Sequence, residues 1–145
     1  MITVMWKNEE KTIVIWRFGE SWTREEFYDA QALSKRLTQS VDHIVHVIVD
    51  LLLVGNTPSS VITLARAGMR ARSSNSGCVV VVARSHLWAR LYQYMQSVYP
   101  MDLIPVTFMK SDTEAMETLQ QSMSPDGCNS IQLNVNSTRF TSLVR

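Results

Sequence analysis

VIVDLLLVGNTPSSVITLARAG, residues 47–68, opens as a buried strand and closes as a helix, and the change-over falls on two serines, Ser59 and Ser60. The first half is apolar at almost every position, the pattern of a strand covered on both faces. The second half places Val61, Leu64, Ala65 and Gly68 at helical spacing. Thr57 supplies a cap and Pro58 suits the first helical position, so the spacing predicts a helix from Pro58. A buried strand feeding an amphipathic helix is half of a parallel crossover unit, which sets the class of fold.

The same alternation extends outward in both directions. HIVHVIVDLL, from His43, and GCVVVVAR, from Gly77, are the two continuous apolar runs expected of interior strands. Upstream, residues 2–6 (ITVMW) and 12–18 (TIVIWRF) flank the polar KNEEK and read as a hairpin. Thr23 and Glu26 then form a capping box with Trp22 and Phe27 at the staple positions, and Phe27, Ala30, Leu33 and Leu37 give the helix one buried face. Glu25, Glu26 and Asp29 lie near its start, where the helix dipole favours them. Downstream, Ser85 is the cap of a helix with Leu87, Leu91, Met95 and Val98 on one stripe, stopped by Pro100. LIPVTFM, from Leu103, is a strand that Pro105 confines to a sheet edge, because proline cannot donate to a ladder. Ser111 and Glu114 open a last helix with Ala115, Met116, Leu119 and Met123 inward. The prediction is an α/β protein with a mainly parallel sheet of about five strands and four helices, in the order β-β-α-β-α-β-α-β-α. Residues 1–123 form one domain, and the polar stretch from Ser124 reads as a flexible tail over 124–145.

Composition bounds the function classes. With 145 residues, 46% apolar, and a net charge of +1, the chain can bury a core and has no charge excess that demands nucleic acid or a membrane surface. No run approaches the twenty or so apolar residues of a membrane span, and no basic segment leads into an apolar stretch at the amino terminus, so a cytoplasmic protein is expected. Cys78 and Cys128 are expected to be free thiols in such a setting.

This order of elements, with the strand end Asp50-Leu51 and the serines Ser59 and Ser60 at the start of the second helix, resembles the STAS family, the anti-sigma-factor antagonist domain. The resemblance spans roughly residues 2–123. In that family a strand ends in Asp-Leu or Asp-Phe, and Asp-Ser-Ser-Gly opens the following helix. Here Pro58 stands at the aspartate position and Val61 at the glycine position. The resemblance implies the fold, a non-enzymatic regulatory role, and a protein partner such as a kinase or an anti-sigma-type regulator. It also implies phosphorylation or switching at Ser59 or Ser60. The partner surface would be the loop 52–57 with Asn56 and Thr57, together with Ser59 and the second helix.

Three physical features bear on that expectation. In parallel α/β sheets, ligands and partners dock where strands end and helices begin, and that edge carries Trp22, Thr23, residues 57–60, residues 84–86 and Ser111. A phosphate on Ser59 or Ser60 in a first helical turn would face amide groups and the positive dipole end. Between Asp50 and Asp102 there is no acidic residue, whereas Arg66, Arg70, Arg72, Arg84 and Arg90 all lie there, with Arg66 and Arg70 one turn apart on one helix face. That surface suits an acidic partner. Alternatively, Thr57, Ser60, Arg84 and Ser85 would hold an anionic metabolite, lipid or nucleotide at the strand-end edge.

Catalytic patterns are poor. His43 and His46 differ by an odd number in a strand and point to opposite faces, so they do not share a metal. There is no CxxC pair, Walker loop, GxSxG elbow or GxGxxG, and Ser85-His86 is only a sequence adjacency. No cofactor is expected.

Overall fold

A computed structural model describes residues 1–100 and 104–121. Strand Leu103, helix residue Met123, Cys128 and the tail 124–145, all named above, lie outside those residues. The observed order is β1 (Ile2–Trp6), β2 (Ile13–Phe18), α1 (Arg24–Gln39), β3 (Val45–Asp50), α2 (Val61–Arg70), β4 (Ser76–Val82), α3 (Leu87–Val98), β5 (Val106–Met109) and α4 (Asp112–Gln121). The five strands form one sheet in the order β1-β2-β3-β4-β5, antiparallel between β1 and β2 and parallel thereafter. The predicted alternation and fold class are those observed, and β5 lies at the sheet edge, immediately after Pro105.

Successive parallel strands step across the sheet in one direction, and crossovers share one hand, so the three connecting helices fall on the same face. The side chains agree. Phe27, Ala30 and Leu64 pack with Val14, Trp16 and Val45, while Ala89 and Tyr92 pack with Val81, Val106 and Phe108. The alternate strand positions, Ile13, Ile15, Ile48, Val80 and Val82, face the other way and meet Ala115 and Leu119 of α4. Both faces are thus buried, as the continuous apolar runs require.

Local signals account for most element boundaries. The Thr23 hydroxyl accepts the Glu26 N–H at 3.2 Å, and the Glu26 carboxylate accepts the Thr23 N–H at 2.9 Å, which completes the predicted capping box. The Ser111 hydroxyl accepts the Glu114 N–H at 3.1 Å and starts α4.

Three expectations need correction. The second helix begins at Val61, not Pro58: Ser60 takes the N-cap position with no side-chain cap bond, and the Val61 N–H closes a turn on the Pro58 carbonyl at 3.2 Å. The reason lies upstream, where the Glu20 carbonyl accepts the Gly55 and Asn56 N–H groups at 2.8 and 2.9 Å, so residues 57–60 are spent returning to the sheet. On α3 the buried residues are Ala89, Tyr92 and Met95, whereas Leu87 and Val98 of the expected stripe are exposed. The helix is rotated so that Tyr92 packs against Phe108 as a tilted pair, with ring centroids 5.7 Å apart and planes at 59°, and its hydroxyl reaches the Ile104 carbonyl. Finally, Cys78 is disulfide-bonded instead of a free thiol. Separation in sequence gives no guide to Cα separation, which is what decides a bridge.

Candidate functional site

The carboxyl edge of the sheet is built from the segments that follow β2, β3 and β4. Asp50 ends β3, and its carboxylate works on two sides. It accepts the Leu52 N–H at 3.0 Å, which starts the loop, and it pairs with Arg17 of neighbouring β2 at 3.8 Å. Arg17 also approaches Asp112 at 3.7 Å, and Lys7 reaches the same Asp112 oxygen at 2.8 Å. The charges alternate in sign, so the strand-end aspartate is held without like-charge repulsion.

Beyond Asp50, the loop is fixed by the two bonds to Glu20 yet presents an apolar side chain: Leu53 is 72% exposed. Asn56, Thr57 and Ser59 are exposed beside it, and Ser60 is half-buried at the N-cap of α2. Ser59 and Ser60 therefore precede the first helical turn instead of lying in it, with Ser59 in the turn that Pro58 and Val61 close. Thr57 is not a helix cap. Trp22 is buried under this edge, and its indole N–H has no hydrogen-bond acceptor among the described residues.

Arg84 and Ser85 follow β4, the neighbour of β3, so they lie on the same edge as Thr57 and Ser60. Both are exposed, and the Ser85 hydroxyl already accepts the Leu87 N–H at 3.1 Å, which starts α3. The two arginines of α2 run away from this edge. Arg66 is half-buried with its guanidinium carbon 3.7 Å from the centre of the Tyr99 ring, a cation–π contact. Arg70 is exposed one turn further on, so the helix carries it about 15 Å from the serines. The loop residues and serines are brought together, whereas Arg66 and Arg70 do not join them.

His46 and His43 each make a contact that serves the fold. His46 is 1% exposed, and its Nδ1 accepts the Cys78 N–H at 2.9 Å; burial lowers its pKa and keeps the ring neutral. His43 lies outside β3 and its Nε2 contacts the Lys11 carbonyl at 2.8 Å. No group of three potential metal-ligating side chains occurs among the described residues.

The sequence did not reveal the second feature of the molecule, a cavity of about 260 Å³ between the sheet and α1, α2 and α3. Its signal was present in the residue sizes. Ala65 and Gly68 on the inner side of α2 face valines at positions 47, 49, 79 and 81, so small groups oppose small groups across a layer spacing of about 10 Å.

Comparison with protein-family models finds no match, and comparison with curated proteins finds none. Among solved structures the chain is similar to the anti-sigma factor antagonist SpoIIAA in its unphosphorylated form, with a TM-score of 0.59 and 12% identity over 83% of this chain and 97% of that one. Nearly the whole of the other chain is matched by a single alternating sheet of the same kind, and at this identity the likeness speaks to architecture. The protein has a STAS-like fold.

Proposed function

We propose that the protein is a non-enzymatic regulatory module that binds another protein, a kinase or an anti-sigma-type regulator, through loop 52–57 and the start of α2. One observation carries this reading: a loop pinned by two backbone hydrogen bonds to Glu20 nevertheless holds Leu53 72% exposed, beside Asn56, Thr57 and Ser59. A large apolar side chain on a fixed loop is the kind of anchor that protein interfaces use, with polar neighbours as its rim. The STAS-like fold supports the same reading, since the similar solved structure is that of an anti-sigma factor antagonist. In this proposal Ser59 is the switch residue. It is exposed, and a phosphate there would stand beside the amino end of α2, whose dipole favours it, while placing about two negative charges on the docking surface.

Affinity capture from the source cells tests the proposal with the intact chain as bait. The expected result is a protein retained by the wild type and lost with both Leu53→Asp and Ser59→Asp, but kept with Leu87→Asp, a change at an equally exposed apolar residue on α3 (66% exposed). Equal retention by all four baits would refute docking through the loop. Intact-mass measurement of the same purified chain reports on Ser59: a species heavier by one phosphate, absent in Ser59→Ala, is expected.

A further inference from the structure

The cavity under α2 and α3 reaches Trp22, Leu51 and Val61 near the proposed docking loop, but its cationic rim, Lys35 and Arg72, is at the amino-terminal edge of the sheet. Its floor is made by β2 to β5, including Trp16, Val79 and Phe108, so it spans three inter-strand spacings, about 14 Å. Its walls are almost wholly apolar, and two of their polar groups are satisfied internally: Trp16 Nε1 donates to the Ser34 hydroxyl at 3.0 Å, and the Tyr92 hydroxyl donates to the Ile104 carbonyl.

Among the described residues, charge appears only at the rim: none of the described lining residues is acidic, and the cationic ones are Lys35, near the end of α1, and Arg72, just beyond the end of α2. The Arg72 guanidinium gives a bond to the Gly77 carbonyl, which fixes the side chain in place, and burial lowers its pKa. The rim beside it is stitched by Asn75, whose side-chain amide donates to the Thr38 and His43 carbonyls at 2.9 and 3.0 Å. A half-buried cation at the mouth of an elongated apolar cavity is complementary to one kind of molecule, a chain with an anionic end.

Size narrows it further. An apolar cavity of about 150 Å³ takes benzene, with six heavy atoms, so a cavity of about 260 Å³ takes about ten. We infer that the cavity binds a straight-chain carboxylate of about ten carbons, its chain lying across the sheet and its carboxylate at Arg72 and Lys35. This goes beyond the regulatory reading and does not depend on it, since the carboxylate is held at the amino-terminal edge by residues that the docking surface does not use.

Isothermal titration of the full chain with hexanoate, octanoate, decanoate, dodecanoate and decanol tests the assignment. Each added methylene up to about ten carbons should tighten binding about fourfold, with little gain beyond. Arg72→Gln should weaken decanoate at least tenfold and leave decanol unchanged, Arg72→Lys should restore most of the loss, and Val79→Phe, which fills the floor, should abolish both while the protein still melts cooperatively. If Val79→Phe does not fold, Ala65→Leu fills the same space from α2. Affinity independent of chain length, or an Arg72→Gln effect equal for decanoate and decanol, would overturn the proposal. So would decanoate binding that arises only in the Ile131→Asp, Leu133→Asp double variant, since that result would make the chain's own tail the occupant.

Discussion

The two faces of the sheet are built from similar residues and packed to different ends. Against α4, the side chains of Ile13, Ile15, Ile48, Val80 and Val82 meet Ala115 and Leu119, and every one of these is 0 or 1% exposed. Against α1, α2 and α3, the strands present Val47, Val49, Val79 and Val81 beneath Ala65 and Gly68, and a cavity of about 260 Å³ remains. One helix seals its face, while three helices leave theirs hollow. The difference teaches that size matching across the layer, and not the number of covering helices, decides how tightly a sheet face is packed. It also separates roles: the α4 face holds the fold together, and the other face has room for a ligand.

The largest effect expected from this contrast is a difference between two truncations. Leu119→Ala, on the α4 face, should cost about 2–5 kcal/mol of unfolding free energy, because a fully surrounded side chain leaves a cavity behind. Val79→Ala, on the wall of an existing cavity, should cost about 1 kcal/mol, since its side chain has fewer partners to lose. Urea unfolding of both variants measures the contrast, and equal costs would erase the distinction between the faces.

A second, smaller effect probes the sealed face in the opposite direction, by adding volume. A methyl group at Gly77 would sit 2.7 Å from both His46 Cε1 and Ile44 Cγ2, with the His46 ring almost wholly enclosed. Gly77→Ala should therefore destabilise by about 1–3 kcal/mol. By contrast, Gly68→Ala on α2 would meet Phe27 Cζ at 3.3 Å, a contact that a slight ring shift relieves, and it should change the melting temperature less than Gly77→Ala.

The smallest effect is a pH dependence confined to the sealed face. His46 is buried neutral, so its pKa in the folded chain lies below the ordinary 6.5. Above 6.5 neither state binds the proton and the stability is fully present. As pH falls below 6.5 the unfolded chain takes up the proton first, and stability declines until pH passes below the lowered folded value. Chemical denaturation at pH 7.5 and 5.5 should show this loss, and His46→Gln should flatten it.

What was legible in the sequence follows from how local each signal is. The capping box at Thr23 and Glu26 needs four residues, the hairpin needs a polar spacer, and the interior strands declare themselves by unbroken apolar runs. Pro105 marked the edge because a missing donor is a property of one residue. The start of α2 was misplaced because its cause, the Glu20 carbonyl, lies 35 residues before Gly55 in the chain. The rotation of α3 depends on an oxygen at Ile104 for the Tyr92 hydroxyl, and the exposed face of α2 depends on Tyr99 meeting Arg66. The cavity is less local still, since it is a shortfall of volume summed over four strands and three helices. The serines and the loop were placed on the correct edge by topology alone, while the arginines were grouped with them by helix face without regard to how far along the helix they sit.

The bonds from Gly55 and Asn56 to the Glu20 carbonyl have a consequence for how fast and how tightly the loop can be gripped. These two residues are exposed, yet their amides are engaged, so in hydrogen exchange they should be protected like residues of the sheet and unlike the surface around them. Their backbone freedom, on the order of 1–2 kcal/mol per residue, is lost at folding and need not be lost again on encounter. A partner would find Leu53 already in position, and its residence time would be set by the contact itself, with no loop ordering to slow its arrival.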